Sequence, residues 1–153
     1  MNYNKCYVII VNYNGWKDTI ECLESLFRSK HNNYQVIIVD NCSTDESISN
    51  IKEWALDVRS ISIESDFFNA RLATNLISKP ISFEILDNNF TVLEEYNFSS
   101  KRKLILINSN ENKGYAAGNN LGIKYTLSQN DCDYLWVLNN DTFIDEKSLG
   151  NQI

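Results

Sequence analysis

The sequence has few of the residues on which several kinds of active site depend. Its 153 residues include one histidine, one proline and one methionine. The histidine, His31, falls in a polar stretch, and no Ser-His-Asp or Cys-His constellation can be assembled around it. The four cysteines are scattered without a CxxC pair, so the spacing of zinc ligands is missing too. We therefore expect free thiols in a reducing, cytoplasmic compartment.

An excess of basic residues and a long hydrophobic run are also missing. The formal net charge is −6, which excludes the electrostatic footprint of a nucleic-acid-binding protein. The early apolar run at 7–11 is far too short to be a transmembrane segment. With 43% hydrophobic and 22% charged residues, the chain has the composition of a globular protein, and we expect one domain over 1–153.

Apolar runs that alternate with helical patterns are the main feature that is present. Strands buried on both faces are predicted where every residue of a run is apolar, at 6–11, 34–39, 103–107 and 134–138. Helical spacing follows at 16–29, from a Ser43/Glu46 capping box onward, at about 114–129 and at 145–152. The order predicts an α/β fold with a mostly parallel, Rossmann-like sheet flanked by helices.

The section 60–103 is less regular and is interpreted as an insertion. Short apolar stretches at 61–63, 81–86 and 91–93 alternate there with polar turns. Alternation of apolar and polar residues at 81–85 predicts a half-exposed edge strand.

Polar clusters end each of the four predicted strands, and they carry the functional prediction. They begin at Asn12, Asp40, Asn108 and Asn139. In a parallel sheet all four emerge at one edge, where ligands of open α/β folds bind. The cluster Asn139-Asn140-Asp141 combines one carboxylate with amides, which suits a hard divalent cation that carries a diphosphate. The alternative is that each cluster only forms a turn.

A glycine-bearing segment follows the third predicted strand. Gly114, Gly118 and Gly122 form GxxxGxxxG, which is neither a dinucleotide fingerprint nor a P-loop. Gly114, after Lys113, is interpreted as part of a loop with room for phosphate. For Gly118 and Gly122, tight packing of a helix on the sheet is at least as good an explanation as a ligand.

Together these motifs resemble the nucleotide-binding half of the family 2 glycosyltransferases, which have the GT-A fold. The matching segments are VIIVNYNG (8–15), VIIVDNCSTDES (36–47), NENKGYAAGNNLGI (110–123) and YLWVLNNDT (134–142). Among relatives they look most like rhamnosyltransferase-type members, which implies a role in cell-surface polysaccharide biosynthesis. The resemblance implies a cytoplasmic enzyme, free or peripheral at the inner face of the membrane, and a chain that stops after the DxD strand without the acceptor-binding half.

The resemblance also assigns roles to individual residues. Asp40 would hydrogen-bond the base, Asn139 would lie near the ribose, and Asp141 would ligate Mn²⁺ or Mg²⁺ on the donor diphosphate. The other residues implied in donor binding are Asn12, Tyr13, Asn14, Lys113, Gly114, Asn119 and Asn140. Because Asn139 stands where the DxD pattern has its first carboxylate, the metal would depend on one protein carboxylate and the diphosphate.

The implied reaction is inverting, metal-assisted transfer of a sugar from a dTDP- or UDP-type donor to an unidentified glycan or lipid-linked glycan. The general base is not identifiable, because Asp145 and Glu146 lie too close to Asp141 in sequence. The alternative is a non-catalytic nucleotide-binding or interaction module of the same fold. A sugar nucleotidyltransferase is disfavoured, since no triphosphate loop follows the first strand, and a dehydrogenase lacks its GxGxxG.

Overall fold

One mixed sheet of six strands organises the structure, a computed structural model that describes residues 4–58, 77–99 and 103–153. The strands are β1 (Cys6–Asn12), β2 (Tyr34–Asp40), β3 (Ser82–Asp87), β4 (Val92–Tyr96), β5 (Lys103–Asn108) and β6 (Tyr134–Asn139). Their order is β4-β3-β5-β2-β1-β6, and only β4 is antiparallel to its neighbour. The predicted α/β class is therefore confirmed.

Four helices are described: α1 (Trp16–Leu26), α2 (Ser47–Leu56), α3 (Tyr115–Ser128) and α4 (Ser148–Gln152). One face of the sheet buries alternate strand residues such as Val8 and Ile10 with the apolar residues of α1 and α2. The other face buries Ile9 and Ile37 with residues of α3. Because successive strand residues point to opposite faces, apolar residues at every position of β1 and β2 supply both cores.

The two glycines inside α3 bring this helix close to β1. A Cβ atom on Gly118 would lie 3.0 Å from Val11 Cγ1, and one on Gly122 would lie 2.7 Å from Ile9 Cγ2. Tight packing on the sheet therefore explains Gly118 and Gly122. The closeness fixes the N-terminus of α3 beside the ends of β1 and β2, where the polar clusters lie.

Two strand predictions are wrong in their position within the sheet. β6 was expected to be buried on both faces, but it is an edge strand of the described sheet, with Leu135 37% and Val137 39% exposed. The segment 81–85 was expected at an edge, but β3 lies between β4 and β5, and β4 is the edge strand. An apolar run predicts a strand, but its neighbours depend on pairings that its own residues do not encode. The stretch 61–63 lies outside the described residues.

The predicted capping box at Ser43 and Glu46 is also wrong. The N-cap of α2 is Glu46 itself, whose side chain makes no capping hydrogen bond, and the first N–H of the helix, that of Ser47, donates to Asp45 Oδ1 at 2.9 Å. Ser43 instead donates a hydrogen bond to the carboxylate of Asp40, because the chain turns there before the helix begins. Among the described helices, none combines the length and the hydropathy that crossing a bilayer requires.

Candidate functional site

The polar clusters meet at the carboxyl edge of the sheet, as predicted. Asn12 pairs in register with Asp40, and Asp40 pairs with Asn108. Val11 pairs with Asn139, so β6 ends at nearly the same level. Sequence reasoning missed a further cluster that begins at Asp87, which pairs with Asn108 and continues into Asn88 and Asn89. It was missed because 60–103 was interpreted as an insertion, although β3 is parallel to β5 and ends at the same edge.

Asp40 is the buried centre of this edge. Its Oδ1 accepts hydrogen bonds from Asn12 Nδ2 (2.7 Å) and Ser43 Oγ (2.7 Å), and its Oδ2 accepts one from Ser43 N (2.9 Å). The side chains of Asn12 and Asp40 are both fully buried. Since a carboxylate oxygen accepts two hydrogen bonds, Oδ2 keeps one acceptor position. The principal structural effect of Asp40 is to hold the loops after β1 and β2 together.

Asn14 makes a second link between these loops. Its Oδ1 accepts hydrogen bonds from Thr44 N (2.8 Å) and Asp45 N (3.2 Å), while its own backbone N–H donates to Ser43 Oγ (2.9 Å). The neighbouring Tyr13 is 49% exposed and presents an aromatic ring at the edge. The hydrogen bonds fix the backbone on which that ring is carried.

The end of β6 is tied to the same network through Asn140. Its Nδ2 donates to Thr19 Oγ1 (3.2 Å) and to Gly15 O (3.4 Å). Thr19 Oγ1 in turn donates to Asn12 Oδ1 (2.8 Å). A chain of hydrogen bonds therefore runs from Asn140 to the Asn12–Asp40 pair. In this arrangement the amide nitrogen of Asn140 anchors the turn of β6 onto the turn after β1.

Asn139 has a partner that the sequence did not indicate. The hydroxyl of Tyr115, in the first turn of α3, donates to Asn139 Oδ1 at 2.6 Å. Tyr115 is 49% exposed, so this contact lies on the surface of the site. In the sequence, the only indication that Tyr115 belongs to the site is that it directly follows Gly114.

Asp141 is the exposed carboxylate of the β6 turn, and within the described residues it forms neither an ion pair nor a hydrogen bond through its side chain. Beneath this turn lies Cys22, whose Sγ is 3.9 Å from Asn139 O. Burial, with a smaller contribution from the negative charge of Asp141, raises the pKa of the Cys22 thiol to about 12. Cys22 is therefore a neutral thiol at physiological pH, which leaves Asp141 as the anionic group of the turn.

The loop before α3 completes the edge. Gly114 has a φ of +91° and is the N-cap of α3, and that conformation favours glycine. Asn41 Nδ2 donates to Gly114 O (3.1 Å) and to Asn112 Oδ1 (2.9 Å), so the loop is attached to the end of β2. Lys113 is exposed and forms an ion pair with Glu111 (2.6 Å). Asn119 is buried, and its Oδ1 has no hydrogen-bond partner among residues 4–58, 77–99 and 103–153.

The edge as a whole offers many neutral amides, one exposed carboxylate at β6 and one exposed lysine before α3. No group of three or more His, Cys, Asp or Glu side chains within 4–58, 77–99 and 103–153 could enclose a metal ion. The residues present fit a hard cation only if the ligand supplies further oxygens. Mg²⁺-type sites with one or two carboxylates and substrate phosphates have this character. The position of the cluster, outside the carboxyl ends of parallel strands, is where ligands of open α/β folds bind.

Comparison with known proteins agrees with this class. The family model described as Glycosyl transferase family 2 matches residues 7–74, a little under half of the chain. The S. aureus TarS fragment 1–349 is similar in structure, with a TM-score of 0.58 and 18% identity over 97% of this chain and 31% of that chain. The same fragment in complex with UDP matches with a TM-score of 0.58, 18% identity, and 97% and 30% coverage.

A third similar structure is the mannosyltransferase PcManGT from Pyrobaculum calidifontis in complex with GDP-Man and Mn²⁺. It has a TM-score of 0.59 and 16% identity over 98% of this chain and 32% of that chain. The chain thus spans about a third of the length of these structures. No curated protein matches it. The resemblance to the family 2 glycosyltransferases is confirmed, and the fold is that of the GT-A glycosyltransferases.

Proposed function

We propose that the chain is the donor-binding part of a glycosyltransferase. The reaction would transfer a sugar, of hexosyl or rhamnosyl type, from a nucleoside-diphosphate sugar to a glycan or lipid-linked glycan. The observation that carries the proposal is the alignment of the ends of β1, β2, β5 and β6 at one edge, together with the family match over 7–74. The UDP and GDP-Man complexes of two similar structures support a nucleotide-sugar donor.

The diphosphate would lie at the β6 end of the edge and the nucleoside toward β2 and β5. Neighbouring strands are about 4.8 Å apart, so three steps from β6 to β5 span about 14 Å. An extended nucleoside diphosphate has a similar length. Asn12, Tyr13, Asn14 and Asp40 would then border the nucleoside, where the fully buried Asp40 would hold in place the loops after β1 and β2. Lys113, Gly114 and Asn119 would border the donor from the side of α3.

Asp141 would hold Mn²⁺ or Mg²⁺ jointly with the donor diphosphate. The cation would offset the charge that develops on the departing nucleoside diphosphate in an inverting transfer. With a net charge of −6, the chain needs a cation, helix N-termini or local basic residues to bind a phosphorylated ligand. The Mn²⁺ in the similar mannosyltransferase structure supports a divalent cation. Because the turn after β6 offers one carboxylate, that of Asp141, we expect Mn²⁺ to bind weakly in the absence of nucleotide and tightly in its presence.

The test is calorimetric titration of the chain with UDP, dTDP and GDP, each with and without Mn²⁺. Metal-dependent binding of at least one nucleotide is expected, and Asp141→Ala should weaken it by at least about tenfold, which is roughly 1.4 kcal/mol. Asp18→Asn is the matched control. It removes an exposed carboxylate, in the first turn of α1, that has no partner within the described residues.

Nucleotide binding that needs no metal, or that is equally strong in the Asp141→Ala variant, would contradict the proposed metal site. Absence of binding to all three nucleotides would contradict the proposed function for this chain.

A non-catalytic nucleotide-binding module is the second candidate. It is favoured by the placement of the two acidic residues that follow Asp141. Asp145 Oδ1 accepts a hydrogen bond from Lys147 N (3.0 Å), and Glu146 forms an ion pair with Lys30 (3.2 Å). Both carboxylates are thus engaged away from the aligned strand ends. Nucleotide binding without sugar transfer or donor hydrolysis would support this candidate.

A further inference from the structure

A small cavity lies at the carboxyl edge, on the side away from Asp141. Its volume is about 180 Å³, and its lining includes Asn41, Asn88, Ser109, Asn110, Gly118 and Leu121. These residues come from the end of β2, the β3–β4 turn, the loop after β5 and α3. The lining combines these amides and a hydroxyl with the exposed ion pair of Lys113 and Glu111. The amides can pair with a flat ring that carries its own donors and acceptors.

Asn41 presents an unused acceptor to this cavity. It is only 4% exposed, and its Nδ2 is consumed by Asn112 Oδ1 and Gly114 O. Its Oδ1 has no hydrogen-bond partner within the described part of the chain. An amide oxygen without a protein partner can accept a hydrogen bond from a ligand or from water. The orientation of the Asn41 side chain, and with it the position of Oδ1, is therefore fixed by the two hydrogen bonds that Nδ2 donates.

Asn88 and Asn110 form the opposite wall. Asn88 Nδ2 donates to Asn110 Oδ1 at 3.2 Å. This bond leaves Asn88 Oδ1 as an acceptor and Asn110 Nδ2 as a donor for a ligand. A donor beside acceptors complements the carbonyl and ring N–H edge of uracil, thymine or guanine. The cavity also adjoins the end of β5, about three strand spacings from β6, where the proposed donor would place its base.

We propose that the Asn88–Asn110 pair determines which base of the donor nucleotide is accepted. The β3–β4 turn, within the section that the sequence presents as an insertion, thereby supplies a specificity-determining residue. This inference rests on the proposed function. Asp141 and the metal act on the diphosphate that all donors share, whereas Asn88 acts on the base by which donors differ.

The experiment measures the dissociation constants of UDP, dTDP, GDP, CDP and ADP in the presence of Mn²⁺ and compares their ratios. Asn88→Ala should change the ratio between the preferred and the other nucleotides by about three- to tenfold, the effect of one lost hydrogen bond. Asn110→Ala should change it in the same direction. Because Asn110 Oδ1 accepts the hydrogen bond from Asn88 Nδ2, Asn110→Ala also removes that contact, and the two variants test the pair as a unit.

Asn89→Ala is the matched control, since Asn89 lies in the same turn but does not line the cavity. It should leave the ratios unchanged. Unchanged ratios in both the Asn88→Ala and Asn110→Ala variants, with nucleotide still bound, would overturn this inference and leave the proposed function intact. If the unmodified chain binds none of the five nucleotides, the inference and the proposed function are both overturned.

Discussion

The hydrogen bond between Tyr115 and Asn139 determines what the turn of β6 can offer to a cation. Tyr115 donates to Asn139 Oδ1, which uses one of the acceptor positions of that amide oxygen. Asn139 carries no charge, so Asp141 alone contributes a carboxylate to the turn. The affinity of the site for a free metal ion is limited accordingly, because it depends strongly on the number of charged ligands.

Asn139→Asp should convert the turn into a site with measurable affinity for metal alone. We expect Mn²⁺ to bind this variant at least about tenfold more tightly in the absence of nucleotide, or roughly 1.4 kcal/mol. The measurement is titration with Mn²⁺ followed by electron paramagnetic resonance. Asn89→Asp adds the same charge at the other end of the edge and should leave the Mn²⁺ affinity unchanged. Equal Mn²⁺ affinity in the Asn139→Asp variant and the unmodified chain would show that residue 139 does not face the cation.

At the scale of single residues, the sequence predicted the composition of the site better than its contacts. Asn12, Asp40, Asn139 and Asp141 lie at the predicted edge because strand ends are marked by the change from apolar to polar residues. The contact of Tyr115 with Asn139 depends on how α3 crosses the sheet, over 24 residues of sequence separation. No local pattern encodes such a crossing.

Glu24 links three elements in the interior. It is 1% exposed, and its Oε1 accepts a hydrogen bond from Trp54 Nε1 (2.9 Å) and forms an ion pair with Lys79 (3.2 Å). Its Oε2 accepts a hydrogen bond from Ile77 N (3.1 Å). The side chain thus joins α1 to α2 and to the segment that leads into β3. A glutamate buried to this extent is unusual, and here it is paired with a cation and with two N–H donors.

Glu24→Ala should destabilise the fold, because it leaves a nearly buried Lys79 without its partner and two N–H donors unsatisfied. Removing one partner of a buried ion pair typically costs about 3–5 kcal/mol. Urea denaturation, followed by circular dichroism, measures the change in the free energy of unfolding. Asp18→Ala, on the exposed face of the same helix, should cost less than about 1 kcal/mol. A loss below about 1 kcal/mol for Glu24→Ala would mean that the linkage contributes little.

At the scale of elements, the sequence predicted that strands and helices exist more reliably than it predicted their neighbours. β1, β2 and β5 are buried as expected because each has a partner on both sides. β6 has an equally apolar sequence but one described partner, so its side chains remain half exposed. The difference lies in the pairing, which the apolar run does not specify.

The two edges of the whole sheet differ in their protection against pairing with other chains. β4 carries two glutamates, and Glu94 forms an ion pair with Lys52. β6 carries no charged residue, and it exposes Tyr134, Leu135 and Val137. Charges on an edge strand oppose pairing with other chains, whereas an uncharged apolar edge invites it. β6 is therefore the edge at which self-association of this chain would begin.

We expect the chain to self-associate with increasing concentration, and Val137→Lys to shift it toward monomer. Sedimentation velocity over a range of concentrations measures the weight-average mass. Val92→Lys, which adds the same charge to an exposed valine of β4, should leave the association unchanged. A monodisperse monomer at high concentration would show that the exposed edge strand β6 does not cause self-association.

The hydrogen bonds of Asn12 and Asn14 to the residues after β2 have a consequence for the energetics of recognition. They join the loops after β1 and β2, at the proposed nucleoside end, without any contribution from a ligand. Binding of a ligand there would therefore order little additional backbone, and the loops would lose little conformational entropy. In the proposed donor complex this end would act as a preorganised template, and its selectivity would depend on fit rather than on adaptation.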